Sequence, residues 1–253
     1  MRNTILVAAA FMMATTVAGS AADLPMKAPV APVSAWSWTG FYVGGNIGGG
    51  VASSQFGDGC FFCASTTPTA GYFTGGAQVG YNYQFGNGLV GVEADVNGNS
   101  NFKGGILGTD DDPAIRVKSN MDVSGTIRAR AGLVVGNAMV YATGGAAWGK
   151  VDQTGIEFHN NPQNANFGTP DGATANSSRT LWGGVVGVGV EFALSPQVTV
   201  GGEFLHTTYA DGNANLVFAG NSGCGTNRPA ATCTIDNHLT TDVARLRFNF
   251  KLN

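Results

Sequence analysis

Residues 240–253 run TTDVARLRFNFKLN. From Ala244 every second side chain is apolar (Ala244, Leu246, Phe248, Phe250, Leu252), and Arg245, Arg247, Asn249 and Lys251 lie between them. A period of two marks a strand with two unlike faces. One face here is large and aromatic, and the other carries three cations. Lipid outside and a polar interior inside would require this pattern.

The same alternation predicts seven strands upstream. Strand one covers 38–52, with Phe41, Val43 and Ile47 opposing Tyr42 and Asn46. Strand two covers 71–85, with Phe73, Ala77, Val79, Tyr81, Tyr83 and Phe85 opposing Thr74, Gln78, Asn82 and Gln84. Strand three, 89–99, sets Val90, Val92, Ala94 and Val96 against Glu93, Asp95 and Asn97. Strand four, 121–135, sets Val123, Ile127, Ala129, Ala131, Leu133 and Val135 against Ser124, Thr126, Arg128 and Arg130. In strand five, 139–153, small residues blur the period. Strand six, 179–194, opposes Trp182, Val186, Val188, Val190 and Phe192 to Gly183, Gly187, Gly189 and Glu191. Strand seven, 198–209, opposes Val200 and Phe204 to Thr199 and Glu203.

Tight turns at 86–88, 136–138 and 195–197 alternate with long polar segments at 53–70, 100–120, 154–178 and 210–238. Outer-membrane barrels sort their connections this way, with short periplasmic turns and long external loops. A soluble sandwich has no reason to do so. The expected fold is therefore all-β: an eight-stranded antiparallel transmembrane β-barrel over 36–253, with four long external loops and three short periplasmic turns.

The first residues are a processing segment. Arg2 precedes an apolar run from Ile5 to Val17, and small residues at 19–22 offer a cleavage site. A signal peptide over 1–21 is expected, because the run is short of the ~20 apolar residues of a spanning helix. Residues 22–35, with Pro25, Pro29 and Pro32, form an expected Pro-rich periplasmic linker. No other stretch could cross a membrane as a helix, so a membrane role falls to strands.

Composition strengthens the picture. Charged residues make up 11% of the chain, against roughly 25% in soluble domains. Its 39 glycines are about twice the usual share of ~7%. Both suit a β protein whose exterior need not face water. The expected location is the cell outer membrane.

Projecting the alternation inward gathers four acids and four bases in the barrel interior: Glu93, Asp95, Arg128, Arg130, Glu191, Glu203, Arg245 and Arg247. Strand neighbourhood predicts that Glu93 and Asp95 meet Arg128 and Arg130, and that Glu203 meets Arg245 or Arg247. An eight-strand barrel is only wide enough for its own side chains, and buried charges require partners. The set is expected to be a polar plug. A narrow porin for ions or small solutes is the alternative. A secreted, soluble, lipocalin-like ligand-binding barrel is a further one.

Other chemistry finds little support. The carboxylates are matched by arginines, so no catalytic dyad is indicated. No nucleophile elbow is present, and no enzyme is expected. The glycine runs open no helix and fail the nucleotide-binding context. Asp110, Asp111 and Asp112 lack EF-hand spacing and suit a solvated loop tip. His159 and His238 fall in predicted loops, and His206 near the outer end of strand seven. No metal and no cofactor are expected. Cys60, Cys63, Cys224 and Cys233 lie in polar segments and are loop disulfide candidates in an exported chain, with three pairings open. Trp36, Trp38, Tyr81, Tyr83, Phe85, Trp148, Trp182, Phe192, Phe204, Phe248 and Phe250 would serve interfacial aromatic girdles. The chain carries no basic patch for nucleic acid. Expected partners are outer-membrane lipid and an extracellular partner at the loops.

The residues also carry a resemblance. Residues 38–48 (WTGFYVGGNIG) resemble the opening of small alphaproteobacterial outer-membrane porin-family proteins, which are immunogenic surface antigens with an outer-membrane-protein-A-like barrel domain. Residues 79–84, 91–95, 126–132, 141–145, 192–204 and 247–252 resemble further motifs of that family. The resemblance covers nearly the whole mature chain. It implies an eight-stranded outer-membrane barrel and the barrel-assembly machinery as a partner during biogenesis. Such chains end on an aromatic residue. Here Leu252 takes that place and Asn253 follows, which sets the efficiency of assembly apart from the family pattern.

Overall fold

The computed structural model describes residues 36–57, 69–100, 106–109, 112–158, 170–210, 212–218 and 231–252. The expected signal peptide and linker lie outside them. Ten strands are present among the described residues: β1 (Gly40–Gly57), β2 (Thr69–Phe85), β3 (Gly88–Ser100), β4 (Ile106–Thr109), β5 (Asp112–Val135), β6 (Ala138–Phe158), β7 (Pro170–Ala193), β8 (Val198–Tyr209), β9 (Gly212–Phe218) and β10 (Ala231–Lys251).

Eight of them form a ring. The antiparallel order β1-β2-β3-β5-β6-β7-β8-β10 closes when β10 pairs with β1 from Tyr42↔Lys251 to Gly57↔Asp236. Closure removes every edge within the membrane, as spanning strands require. At the seam, the Leu252 N–H donates to the Phe41 carbonyl at 2.8 Å. The short turns after β2 and β5 hold Gly86 at φ 58° and Gly136 at φ 62°, where a side chain would be strained.

The alternation sorts each strand as expected. Phe41, Ile47, Val92, Ile127, Val188, Leu246 and Phe248 are exposed on the outside. On β10 the outward run from Ala244 to Leu252 spans eight residue steps, about 20 Å at ~3.3 Å per residue and ~40° tilt, which is close to the height of an outer-membrane apolar band.

The lumen is filled in three layers. At the end bearing the short turns, Trp38, Leu89, Val134, Met139 and Tyr141 form an apolar cap. At the opposite end, Tyr72, Met121, Val151, Leu181, Val185, Leu205, Tyr209, Leu239 and Val243 form a second apolar layer. The charged residues lie between.

Several expectations change in detail. The ladders continue into segments that hydropathy assigns to loops. β5 and β6 stay paired out to Ile115↔Glu157, and β6 and β7 to Phe158↔Pro170. β4 pairs with β5, and β9 with β10 from Ala231↔Phe218 to Asn237↔Gly212. A strand with water on both faces has no need to alternate, so its pattern cannot announce it. The backbone of His238 accordingly lies in β10, opposite Gln55, rather than in a loop.

Trp38 is also reassigned. It is 3% exposed and closes the lumen, so it belongs to no lipid-facing girdle. Finally, the β5–β6 register shifts between Met121 and Val123. This bulge lets Met121 point inward although Val123, two residues on, points outward.

Candidate functional site: the ion-paired centre of the lumen

The site is built on five strands. β3 supplies Glu93 and Asp95, β5 supplies Arg128 and Arg130, β7 supplies Glu191, β8 supplies Glu203, and β10 supplies Arg245 and Arg247. Each pair at i and i+2 shares one face of its strand, so all eight side chains enter the lumen, and all are buried.

The expected neighbour pairs form. Arg128 reaches Glu93 at 2.5 Å and Asp95 at 3.0 Å, Arg130 reaches Glu93 at 3.3 Å, and Arg245 reaches Glu203 at 2.7 Å. The structure adds pairs across the lumen that strand order does not predict. Arg128 donates to Glu203 at 3.0 Å, Arg130 to Glu191 at 2.6 Å, and Arg245 to Asp95 at 3.1 Å. Arg247 binds Glu93 across the lumen, and its 2.8 Å approach to Glu203 on neighbouring β8 is the other expected pair. Each acid meets at least one arginine and each arginine at least two acids, so the cluster has no net charge.

Two tyrosines complete the network. The Tyr42 hydroxyl donates to Glu93 at 2.6 Å and accepts from Arg130 at 2.7 Å. The Tyr141 hydroxyl donates to Glu203 at 2.9 Å and accepts from Arg247 at 3.1 Å. The guanidinium of Arg130 stands 4.0 Å from the centre of the Tyr141 ring. Each ring lies over a glycine directly across the ladder, Tyr42 over Gly80 and Tyr141 over Gly189. A Cβ at either glycine would collide with the ring, so the ring occupies the space that the glycine leaves. The sequence reading left both tyrosines out. Their inward parity beside Asn46 and Thr143, with glycine opposite, was the available signal.

Amide and hydroxyl groups satisfy the remaining oxygens. Asn97 and Thr126 donate to Asp95, each at 2.7 Å, and Thr199 and Asn249 donate to Glu191 at 3.2 and 3.1 Å. A chain from Asn46 through Gln78 to Asn249 closes the wall. Buried ions need such partners, and every carboxylate of the cluster has them, whereas the Nε atoms of Arg128, Arg130 and Arg247 are buried without one among the described residues.

The other singled-out residues are elsewhere. His206 lies on the outer face, its Nδ1 2.7 Å from Asp242, and both side chains are half exposed. His159, Cys60, Cys63, Cys224, Asp110 and Asp111 lie outside the described residues. The backbone of Cys233 pairs with Leu216 in the β9–β10 ladder. Among the described residues, no group of three or more His, Cys, Asp or Glu could hold a metal ion.

An edgeless barrel, apolar on the outside along its full middle height and ion-paired within, defines an integral outer-membrane β-barrel protein. The chain belongs to the outer membrane protein beta-barrel domain family, whose pattern matches residues 6–225. It is 35% identical over 241 residues to the 31 kDa outer-membrane immunogenic protein of Brucella melitensis biotype 1, covering 88% of this chain and 92% of that one. To the 22 kDa outer membrane protein of Rhizobium leguminosarum bv. viciae it is 30% identical over 190 residues, or 75% and 72% of the two chains. The solved structure of OprG from Pseudomonas aeruginosa aligns with 85% of this chain and 97% of its own, at 14% identity and a TM-score of 0.43. The protein is located in the cell outer membrane. A soluble lipocalin-like barrel, one alternative from the sequence, does not fit a lipid-facing exterior around a filled lumen.

Proposed function

We propose that this protein is a non-enzymatic, surface-exposed structural barrel whose lumen is a permanent plug. One observation carries the reading: four carboxylates and four guanidiniums pair around and across the whole lumen, with an apolar layer above and below them. Moving a solute through would require separating several buried ion pairs at once, and breaking even one by removing a partner is strongly unfavourable. The barrel holds its external segments at the cell surface. There they meet an extracellular partner or antibody, in keeping with the immunogenic relative from Brucella. Outer-membrane lipid is the partner of the outward face. The barrel-assembly machinery is its partner during biogenesis.

A narrow pore is the second reading. It draws on Arg247, which has Glu93, Glu203 and, at 3.7 Å, Glu191 within reach and could exchange partners as an ion passes. Conductance of the refolded mature chain in planar bilayers decides between them. Insertion without current steps supports the plug. Stable discrete steps would replace it with the pore.

A further inference from the structure

The two apolar layers of the lumen differ in construction. The outer layer comes from the barrel strands themselves, including β5, β6, β7, β8 and β10. The periplasmic layer depends on a segment that precedes the barrel. Residues 36–39 lie outside any strand, yet they carry Trp38 from the start of β1 across the mouth to Leu89, Val134 and Met139, at the turn ends of β3, β5 and β6. In ring order β5 and β6 lie three and four places from β1, so the indole reaches over part of the opening.

The segment is held by few bonds. The Trp38 N–H donates to Gln84 Oε1 at 2.9 Å, and the Gln84 N–H donates to Thr39 Oγ1 at 2.9 Å. Lys251 Nζ donates to the Ser37 carbonyl at 2.6 Å and lies 5.2 Å from the Trp36 ring centre. Between this segment and the wall of β7, β8 and β10 a recess runs inward. Its lining includes Trp36, Trp38, Tyr42, Thr199, Asn249 and Glu191. The ion-paired centre is thus reached from the periplasmic side behind a single strap, while the external side is shut by the barrel's own packed core.

We infer that the periplasmic end of the lumen is a blind vestibule, and that Trp38 on its strap is the removable stopper that restricts the entry of small solutes to Glu191. This rests on the plugged-barrel reading and adds a direction to it. The stopper controls access to the charged centre but not passage through the barrel, because the outer layer stays closed when the strap lifts.

The test uses the full mature chain with Cys60, Cys63, Cys224 and Cys233 replaced by serine. A reporter thiol is placed by Thr199→Cys in the vestibule or by Leu205→Cys in the outer layer. Reaction with a small methanethiosulfonate reagent is followed in detergent micelles, on protein shown to be folded by its heat-dependent gel shift. With Trp38 present, both thiols should react slowly. With Trp38→Ala, the thiol at 199 should react at least tenfold faster and the thiol at 205 should not change. Trp38→Phe should behave as the parent. Gln84→Ala, which loosens the strap and leaves the indole, should give an intermediate rate and provides the answer if Trp38→Ala fails to fold.

A thiol at 199 that stays unreactive in both strap variants overturns the stopper. A thiol at 205 that gains reactivity with it overturns the blind end. Current steps from the parent chain would sink the plug alone. An unreactive thiol at 199 in a non-conducting barrel would sink the vestibule alone.

Discussion

Arg128 on β5 and Glu203 on β8 meet 3.0 Å apart although two whole strands, β6 and β7, separate them in the wall. The pair is a strut across the lumen, with both side chains wholly buried. Removing one end leaves the other charge in a dry interior. Arg128→Ala should lower the unfolding free energy by about 3–5 kcal/mol. Arg128→Ala with Glu203→Ala should cost less than the sum of the two single changes, by about 0.5–3 kcal/mol. Urea titration of the refolded barrel in lipid vesicles measures both. Additive losses would mean that the strut carries no coupling.

Tyr42 and Tyr141 each bridge an acid and a base through one hydroxyl. Tyr42→Phe and Tyr141→Phe keep the rings over Gly80 and Gly189 and leave the bridged groups one partner short. Each should cost about 1–3 kcal/mol in the same titration. A loss under about 0.5 kcal/mol for both would assign the tyrosines to packing alone.

Two glycines on β7 should respond unequally to the same substitution. Gly189 faces the Tyr141 ring, and Gly184 has open space where a Cβ would go. Gly189→Ala should destabilise the barrel by about 1–3 kcal/mol through overpacking. Gly184→Ala should stay within about 0.5 kcal/mol of the parent. Equal losses at the two positions would refute the packing role of the glycine beneath the ring.

The exterior can be mapped by depth. Leu246 is exposed inside the outward apolar run, and Leu252 sits at its periplasmic end. Leu246→Arg should cost about 2–4 kcal/mol and Leu252→Arg about 0–1 kcal/mol when unfolding is followed in bilayers. Reversed costs would place the membrane elsewhere on the barrel.

The features legible in the sequence are those that lipid enforces. Wherever a strand has lipid on one face and the lumen on the other, the alternation names both faces. It did so from Phe41 on β1 to Phe250 on β10, and it collected the eight charges of the ion-paired cluster, though not Arg179 on β7, whose guanidinium is buried without a partner among the described residues. Beyond the bilayer that contrast vanishes, so the outer ladders around Ile115 and Ala231 left no trace. Met121 was hidden by a bulge, because an added residue reverses the parity on one side of it. Trp38 was hidden because it precedes any strand and no periodicity governs it. The pairing of Arg128 with Glu203 was out of reach for another reason. Strand order names neighbours around the wall, whereas contacts across the lumen follow from barrel width and side-chain length.

The order in which the charges appear along the chain bears on how the barrel completes itself. All four acids and only two of the arginines lie on β3, β5, β7 and β8. Within the ion-paired cluster these strands leave two negative charges in excess, and Arg245 and Arg247 on β10 together neutralise them. The strand that seals the ring is therefore also its counter-ion. Without β10 the cluster carries a net negative charge, and with it the cluster is neutral.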